Sequence, residues 1–283
     1  AKLAEAGATT MIMAPRSVKR AALVLGPQHN DAAVRLAQAA EVLDDNICIT
    51  RATHIVLQKL KRQAKTLGIL KSKRPAAKKP LSDAIESIKK VISTLELLVL
   101  NPTTAAMPSV SLANLRGYEG ASARIYFDAL THVFAPQLTF TGRNRRPPKD
   151  PVNVGLSLSY TMLHFEAVKW CVTAGLDPML GFYHKPAFGR ESLASDLIEP
   201  LRPVIDLWIW EKFRSETLRA DHFSNDKGAC LMGKAGRQIF YASWENECKP
   251  WRRYLRQQAR LLAQQLRGRG AVLLSNDFDD EEI

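Results

Sequence analysis

Two stretches of the chain gather chemically capable residue types, and the first is suited to holding a divalent metal. The first, residues 181–203, reads GFYHKPAFGRESLASDLIEPLRP. His184 stands twelve residues before Asp196, and Glu199 follows three residues later. Residues three apart on a helix share a face. A helix capped by Ser192 therefore presents both acids on one side, with His184 on the preceding turn in reach of that side. One imidazole beside carboxylates is a mixed donor set for a divalent ion. An ordinary reading also exists: acids early in a helix are favoured by its dipole, and a lone histidine is commonly a surface or core residue. The second stretch, residues 115–128, reads LRGYEGASARIYFD and sets Glu119 between Gly117 and Gly120. Glycine inside a helix costs about 1 kcal/mol against alanine. Two of them beside one carboxylate point to close approach by another helix or a substrate backbone, or to tight packing beside a solvated acid.

The elements that must position these residues are mostly helical. Residues 31–42, 50–70, 83–98, 112–133, 153–174, 192–213 and 250–268 carry apolar residues at helical spacing. Ser82 is placed to cap the third of these. Pro200 and Pro203 sit awkwardly in 192–213, because proline removes a helix hydrogen bond. Residues 9–14 and 20–25 flank Pro15 and Ser17 and read as a short hairpin or the tail of a sheet. Two strands alone are marginal in water, so a larger sheet is expected around them. Asp226, Lys227 and Gly228 mark a second hairpin turn. Residues 101–110 read as a loop, 180–188 as a turn or short strand, and 71–80 as a linker.

The 283 residues are 46% hydrophobic and 24% charged, which excludes a disordered chain. No run reaches the ~18 apolar residues that span a bilayer. Lys and Arg number 40 against 28 Asp and Glu, a formal +12, although five of the acids lie between Asp277 and Glu282. Nine basic and no acidic residues fall between 59 and 80, and seven basic and no acidic ones between 249 and 269. An excess of this size points to a polyanionic partner, nucleic acid before a membrane surface; solubility through net charge is the plainer alternative. The expected phosphate contacts are Lys59, Arg62, Arg143, Arg145, Arg146, Lys149, Arg252, Arg253 and Arg256. None belongs to a base-reading motif, so binding to nucleic acid should follow its shape. Cys48, Cys171, Cys230 and Cys248 contain no Cys-x-x-Cys pair and argue against a zinc site. Scattered cysteines in a chain of this size read as reduced and cytoplasmic. The chain begins with Ala1, which fits a fragment or a processed form.

Taken in order, RGYEGASARIYFDAL, RNRRPPKDPVNVGLSLSYTMLHFEAV, GLDPMLGFYH and SLASDLIEPLRPVIDLWI resemble the CRISPR-associated integrase family, over about residues 30–230. His29, Asn30 and Asp31 with Arg35 and Gln38 agree, as do Lys59 with Gln63 and Leu67, and Asp221, His222 and Phe223 with Asp226, Gly228 and Leu231. The resemblance implies a mainly α fold, with residues 29–283 a large helical catalytic domain preceded in 1–28 by the end of a β-rich domain. It implies metal ligands at Glu119, His184 and Glu199, with Asp196 completing the catalytic set, and Mg²⁺ or Mn²⁺ as cofactor. The reaction implied is transesterification of double-stranded DNA, which inserts prespacers at a CRISPR repeat. The partners implied are a second copy of the chain, a small ferredoxin-like CRISPR-associated protein and, in some members, a fused reverse transcriptase; no membrane is implied. The sequence departs from the family in its short β region and in Pro200, which leaves the carbonyl of Asp196 without its helical partner. Two other functions fit the residues: a structure-specific nuclease that cleaves without joining, and a non-catalytic DNA-binding scaffold.

Overall fold

The computed structural model describes residues 10–13, 20–24, 31–100 and 111–275. The chain order is β1 (Thr10–Met13), β2 (Arg20–Val24), α1 (Ala32–Leu43), α2 (Asp45–Lys73), α3 (Lys78–Leu100), α4 (Leu112–Thr131), α5 (Pro151–Thr173), α6 (Ser192–Ile198), α7 (Arg202–Arg214), β3 (Phe223–Asp226), β4 (Ala229–Met232), α8 (Lys234–Glu247) and α9 (Lys249–Ser275). The fold is mainly α, as expected. β1 and β2 pair antiparallel, with Thr10 opposite Val24 and a shift between Ile12 and Met13. The wider sheet expected around them, the 101–110 loop and the acidic tail lie outside the described residues. Among the described residues no helix is long and apolar enough to cross a membrane.

The chain divides into two compact units. The first is drawn from Ala1–Arg51, Thr161–Ile198 and Pro250–Ile283. Its core forms where one face of each helix is apolar. α1 buries Val34 and Ala37, α5 buries Leu163, Ala167 and Cys171, and α9 buries Trp251, Leu255, Ala259, Leu262 and Leu266 at helical spacing. α1 and α9 meet so closely that a Cβ on Gly270 would lie 2.1 Å from the Ala33 carbonyl oxygen. Asp31, just before α1, accepts from Arg267 at 2.7 Å. Asp44 acts as a cap, accepting the N–H groups of Asn46 and Ile47 at 2.8 and 3.1 Å.

The second unit is drawn from Ala52–Tyr160 and Glu199–Lys249. α2 buries Val56, Leu60, Leu67 and Leu70, and α3 buries Leu81, Ile88, Ile92 and Leu95. α3 and α4 pack against each other. The Val133 carbonyl closes the end of α4 by accepting from the Trp210 indole at 3.1 Å and the Arg74 guanidinium at 3.0 Å. Lys227 and Gly228 both take left-handed backbone, with φ of 48° and 81°, which turns β3 into β4 as a tight hairpin. That hairpin is pinned by the Cys230 N–H, which donates to the Pro148 carbonyl at 2.8 Å. All four cysteines are free and buried.

Several expected boundaries move. Ser82 is not a cap: α3 begins at Lys78, and Pro80 is tolerated in the first turn, where its N–H would have no helical acceptor. The supposed linker 71–80 is the end of α2, one 3₁₀ turn at Pro75–Ala77 and the start of α3. The run 192–213 is broken at its prolines into α6, a 3₁₀ turn at Glu199–Leu201 and α7. Pro203 falls in the first turn of α7, where it is pre-organised for the helix.

Candidate active site

In the second unit, two carboxylates converge on one ammonium. α2 carries Lys59 on its buried stripe between Val56 and Gln63, and only 9% of the residue is exposed. Its Nζ donates to Glu199 Oε2 at 2.6 Å and also to Glu119 Oε1. Burial pushes the Lys59 ammonium down, but the charges of Glu199 and Glu119 outweigh it and hold its pKa above the ordinary lysine value. Two oxygens bonded to one nitrogen lie within about 6 Å of each other, twice a hydrogen-bond length.

Glu119 comes from α4, whose first turn is capped by Ser111 Oγ accepting the Asn114 N–H at 3.1 Å. Gly117 and Gly120 flank it on an open face: a Cβ on either would meet nothing within 4 Å. Among the described residues, then, no other helix packs on these glycines, one of the alternatives the sequence left open. Glu199 opens the 3₁₀ turn between α6 and α7, and its other oxygen lies 2.9 Å from Arg202 Nε.

Behind this pair lies a buried polar network. The Arg202 guanidinium rests over the Tyr160 ring at 4.6 Å, and Arg143 faces the same ring at 5.5 Å. The Tyr160 hydroxyl donates to Asp206 Oδ1, and the Tyr126 hydroxyl donates to Asp206 Oδ2 at 2.9 Å. Burial raises the Asp206 carboxyl to about 6, against the lowering effect of both tyrosines, Arg143 and Arg202. Burial, followed by the Asp206 charge, pushes both tyrosines well above the ordinary phenol value. A small cleft of about 30 Å³ lies over these groups, lined by Lys59, Glu119, Arg143, Arg145, Tyr160 and Arg202 among others.

The basic loop 143–149 is knitted to the start of α5. Arg143 donates to Asn153 Oδ1 at 2.7 Å and to Ser157 Oγ at 3.1 Å. Asn144 Oδ1 accepts the Lys149 N–H at 2.9 Å, and Asp150 caps α5 by accepting the Asn153 N–H at 2.8 Å. This leaves Arg145, Arg146 and Lys149 exposed on a fixed loop, with Arg143 turned inward.

In the first unit, Asp196 on α6 is 1% exposed and fastens the preceding loop. Its Oδ2 accepts the N–H groups of Phe182 and Tyr183 at 2.7 and 3.0 Å. Its Oδ1 accepts the His184 N–H at 3.0 Å and lies 2.7 Å from His184 Nδ1. Farther back on the loop, the Gln38 amide donates to the carbonyls of Asp177 and Leu180, both at 2.9 Å. Gly181 lies against α6, where a Cβ would come 2.6 Å from the Ser192 carbonyl carbon. His184 is thus held on a rigid turn with Nδ1 engaged, the arrangement by which an outer carboxylate orients a ligating imidazole through its other nitrogen.

Three readings from sequence change here. Asp196 and Glu199 do not share a helical face, because α6 ends between them at Ile198; Asp196 serves His184, and Glu199 serves Lys59 and Arg202. Lys59 is not a solvent-facing phosphate contact. Of the other expected contacts, Arg62 donates to the Pro200 carbonyl at 3.0 Å and Arg252 pairs with Glu166 at 2.6 Å, whereas Arg253 and Arg256 are exposed on α9. Arg202, Asp206, Tyr126 and Tyr160 did not stand out in the sequence as site residues. A signal existed for Lys59, which lies three residues after Val56 and four before Gln63, on the apolar stripe of α2.

Among the described residues no three His, Cys, Asp or Glu side chains converge as a ready-made cation site. At Glu119 and Glu199 the centre is filled by Lys59. Two hard carboxylate oxygens meeting at one cationic centre are nevertheless a donor pair that fits a divalent ion.

A helical chain that pairs two acids, one buried and one half-buried, beside an arginine-lined cleft has the build of an enzyme for phosphodiester chemistry on a polyanion. The family model described as CRISPR associated protein Cas1 matches residues 1–246. A protein of Thermodesulfovibrio yellowstonii named CRISPR-associated endonuclease Cas1 1 is 35% identical over 246 residues, covering 86% of this chain and 74% of its own. The solved structure of a Cas6-RT-Cas1–Cas2 complex superposes with a TM-score of 0.77 at 24% identity, over 95% of this chain and 29% of that one. A casposase bound to integration product gives 0.76 at 20% identity, over 94% and 74%. The chain belongs to the Cas1 family of CRISPR-associated proteins.

Proposed function

We propose that this chain is a DNA endonuclease and integrase that inserts new spacers into CRISPR arrays by transesterification, using a divalent metal held by Glu119, His184 and Glu199. The observation that carries this reading is the convergence of Glu119 and Glu199 on a single cationic centre in a chain of the Cas1 family. Bound there, Mg²⁺ or Mn²⁺ supplies Lewis-acid activation of the scissile phosphoryl group and stabilises the alkoxide that attacks or leaves. Asp196 keeps the His184 proton on Nδ1 and leaves Nε2 as the ligating nitrogen. Arg202 holds Glu199 from the protein side. Arg145, Arg146 and Lys149, on their fixed loop, take DNA phosphates, and Arg253 and Arg256 on α9 add further contacts.

The catalytic part is residues 29–283. The chain acts in the cytoplasm as a homodimer bridged by a small CRISPR-associated partner. The named Cas6-RT-Cas1–Cas2 complex supports such a partner and a reverse-transcriptase association, and the casposase on its integration product supports strand joining as the reaction.

The test is an integration assay with a CRISPR-repeat plasmid, a short duplex, the bridging partner and Mn²⁺. Joined product should form with wild type and fall by two orders of magnitude or more, as expected for loss of a metal ligand, in Glu119→Gln and Glu199→Gln. Cleavage without joining would assign a nuclease instead. Undiminished joining in both variants would assign a scaffold.

A further inference from the structure

The carboxylate pair already has a cation of its own. Lys59 Nζ occupies the point where Glu119 and Glu199 meet, and Arg202 lies beside Glu199. Two negative charges thus face two positive ones before any metal arrives. A divalent ion added to that set would stand within a few ångströms of an ammonium, and like charges at such distances repel strongly in a partly buried site. The ammonium and the ion also need the same oxygens. An ion seated at the point where the two carboxylates meet takes the place that Nζ now holds and competes with it for both Glu oxygens.

The two groups differ in how they can leave. Arg202 is locked by its place over the Tyr160 ring and by the network behind it. Lys59 sits on a flexible four-carbon stem and lines the small cleft beside Arg143 and Arg145. Its ammonium can swing clear without moving α2.

Building on the metal-site reading above, we propose that Lys59 is a tethered cation that holds the ligand pair in the metal-free protein and is displaced when the divalent ion binds. Lys59 then sets the metal concentration at which the site loads. It keeps the buried Glu199 and the half-buried Glu119 from repelling each other in the meantime. It is a positioning residue and touches no reacting atom in this role.

The test measures Mn²⁺ binding to the full chain by the loss of the free-Mn²⁺ electron paramagnetic resonance signal. Lys59→Met keeps an unbranched side chain one atom shorter and removes its charge. It should bind Mn²⁺ at least about tenfold more tightly than wild type, while Lys59→Arg stays close to wild type. A purely structural lysine would leave affinity unchanged or weaken it, and either result for Lys59→Met overturns the proposal. A second measurement needs no variant. Lysine acetylation of the wild-type chain, read by mass spectrometry, should show Lys59 protected without metal and reactive with saturating Mn²⁺; continued protection overturns the displacement. Glu119→Gln separates the two levels. If it leaves wild-type Mn²⁺ binding intact, the metal-site reading itself fails and this inference with it. If it abolishes binding but Lys59→Met is no tighter, only the inference fails.

Discussion

A lysine on the apolar stripe of a helix is costly unless its charge is matched, and Lys59 is matched twice. The acids it joins were legible in sequence because each lies in a distinctive local motif. The ammonium between them was not, because a basic residue in a run of nine reads as surface when its helical phase is ignored. The same blindness hid Asp206. A single aspartate in DLWIW carries no motif, and only the fold brings Tyr126 and Tyr160 onto it from two other helices. Its consequence is measurable. The folded carboxyl titrates at about 6, above the ordinary 3.8. Between those values the folded chain binds more protons than the unfolded one, so this group makes stability fall as pH rises, with the full cost present above the folded value. The difference corresponds to ~3 kcal/mol by linkage. Asp206→Asn should remove that slope: urea unfolding from pH 4 to 7 should show wild type losing stability relative to the variant, and parallel curves would refute the assignment.

At the scale of elements, glycines that look alike in sequence have opposite roles. Gly181 allows the loop before His184 to close on α6, where the Ser192 backbone leaves no room for a methyl group. Gly181→Ala should destabilise the chain by ~1–3 kcal/mol through overpacking and weaken DNA joining by misplacing His184. Gly117 stands open on α4. Gly117→Ala should raise stability by up to ~1 kcal/mol through helix propensity; chemical denaturation of both variants measures the contrast. The same change should weaken DNA binding if the open face beside Glu119 admits a nucleic-acid backbone. The helices themselves were readable from apolar periodicity over most of their length. Their ends were not: Ser82 resembles a cap, yet the 3₁₀ turn at Pro75–Ala77 lets α3 start a full turn earlier. The break at Pro200 followed directly from proline's missing donor.

At the scale of the whole molecule, charge was the clearest message in the sequence and the division into two units the least visible. α2 and α5 run without interruption through the boundaries at Arg51 and Tyr160, so no composition shift or linker marks them. The excess of basic residues divides into those engaged within the fold, such as Arg143 and Arg252, and those left outward, such as Arg145 and Arg146. Charge reversal of Arg145 and Arg146 should weaken binding alike on all duplexes and flatten the salt dependence by about one unit for each phosphate no longer neutralised. Fluorescence anisotropy against salt, on two unrelated sequences, measures this; a loss confined to one sequence would mean base readout. The central proposal is that Glu119, Glu199 and His184 hold one divalent ion. Anomalous diffraction at the manganese edge from crystals soaked in Mn²⁺ tests it most directly. The account predicts one peak about 2.0–2.3 Å from a carboxylate oxygen of Glu119, a carboxylate oxygen of Glu199 and Nε2 of His184, with Lys59 withdrawn from between the acids. A fully soaked crystal with no peak there, or with a peak that any of the three fails to touch, would contradict it.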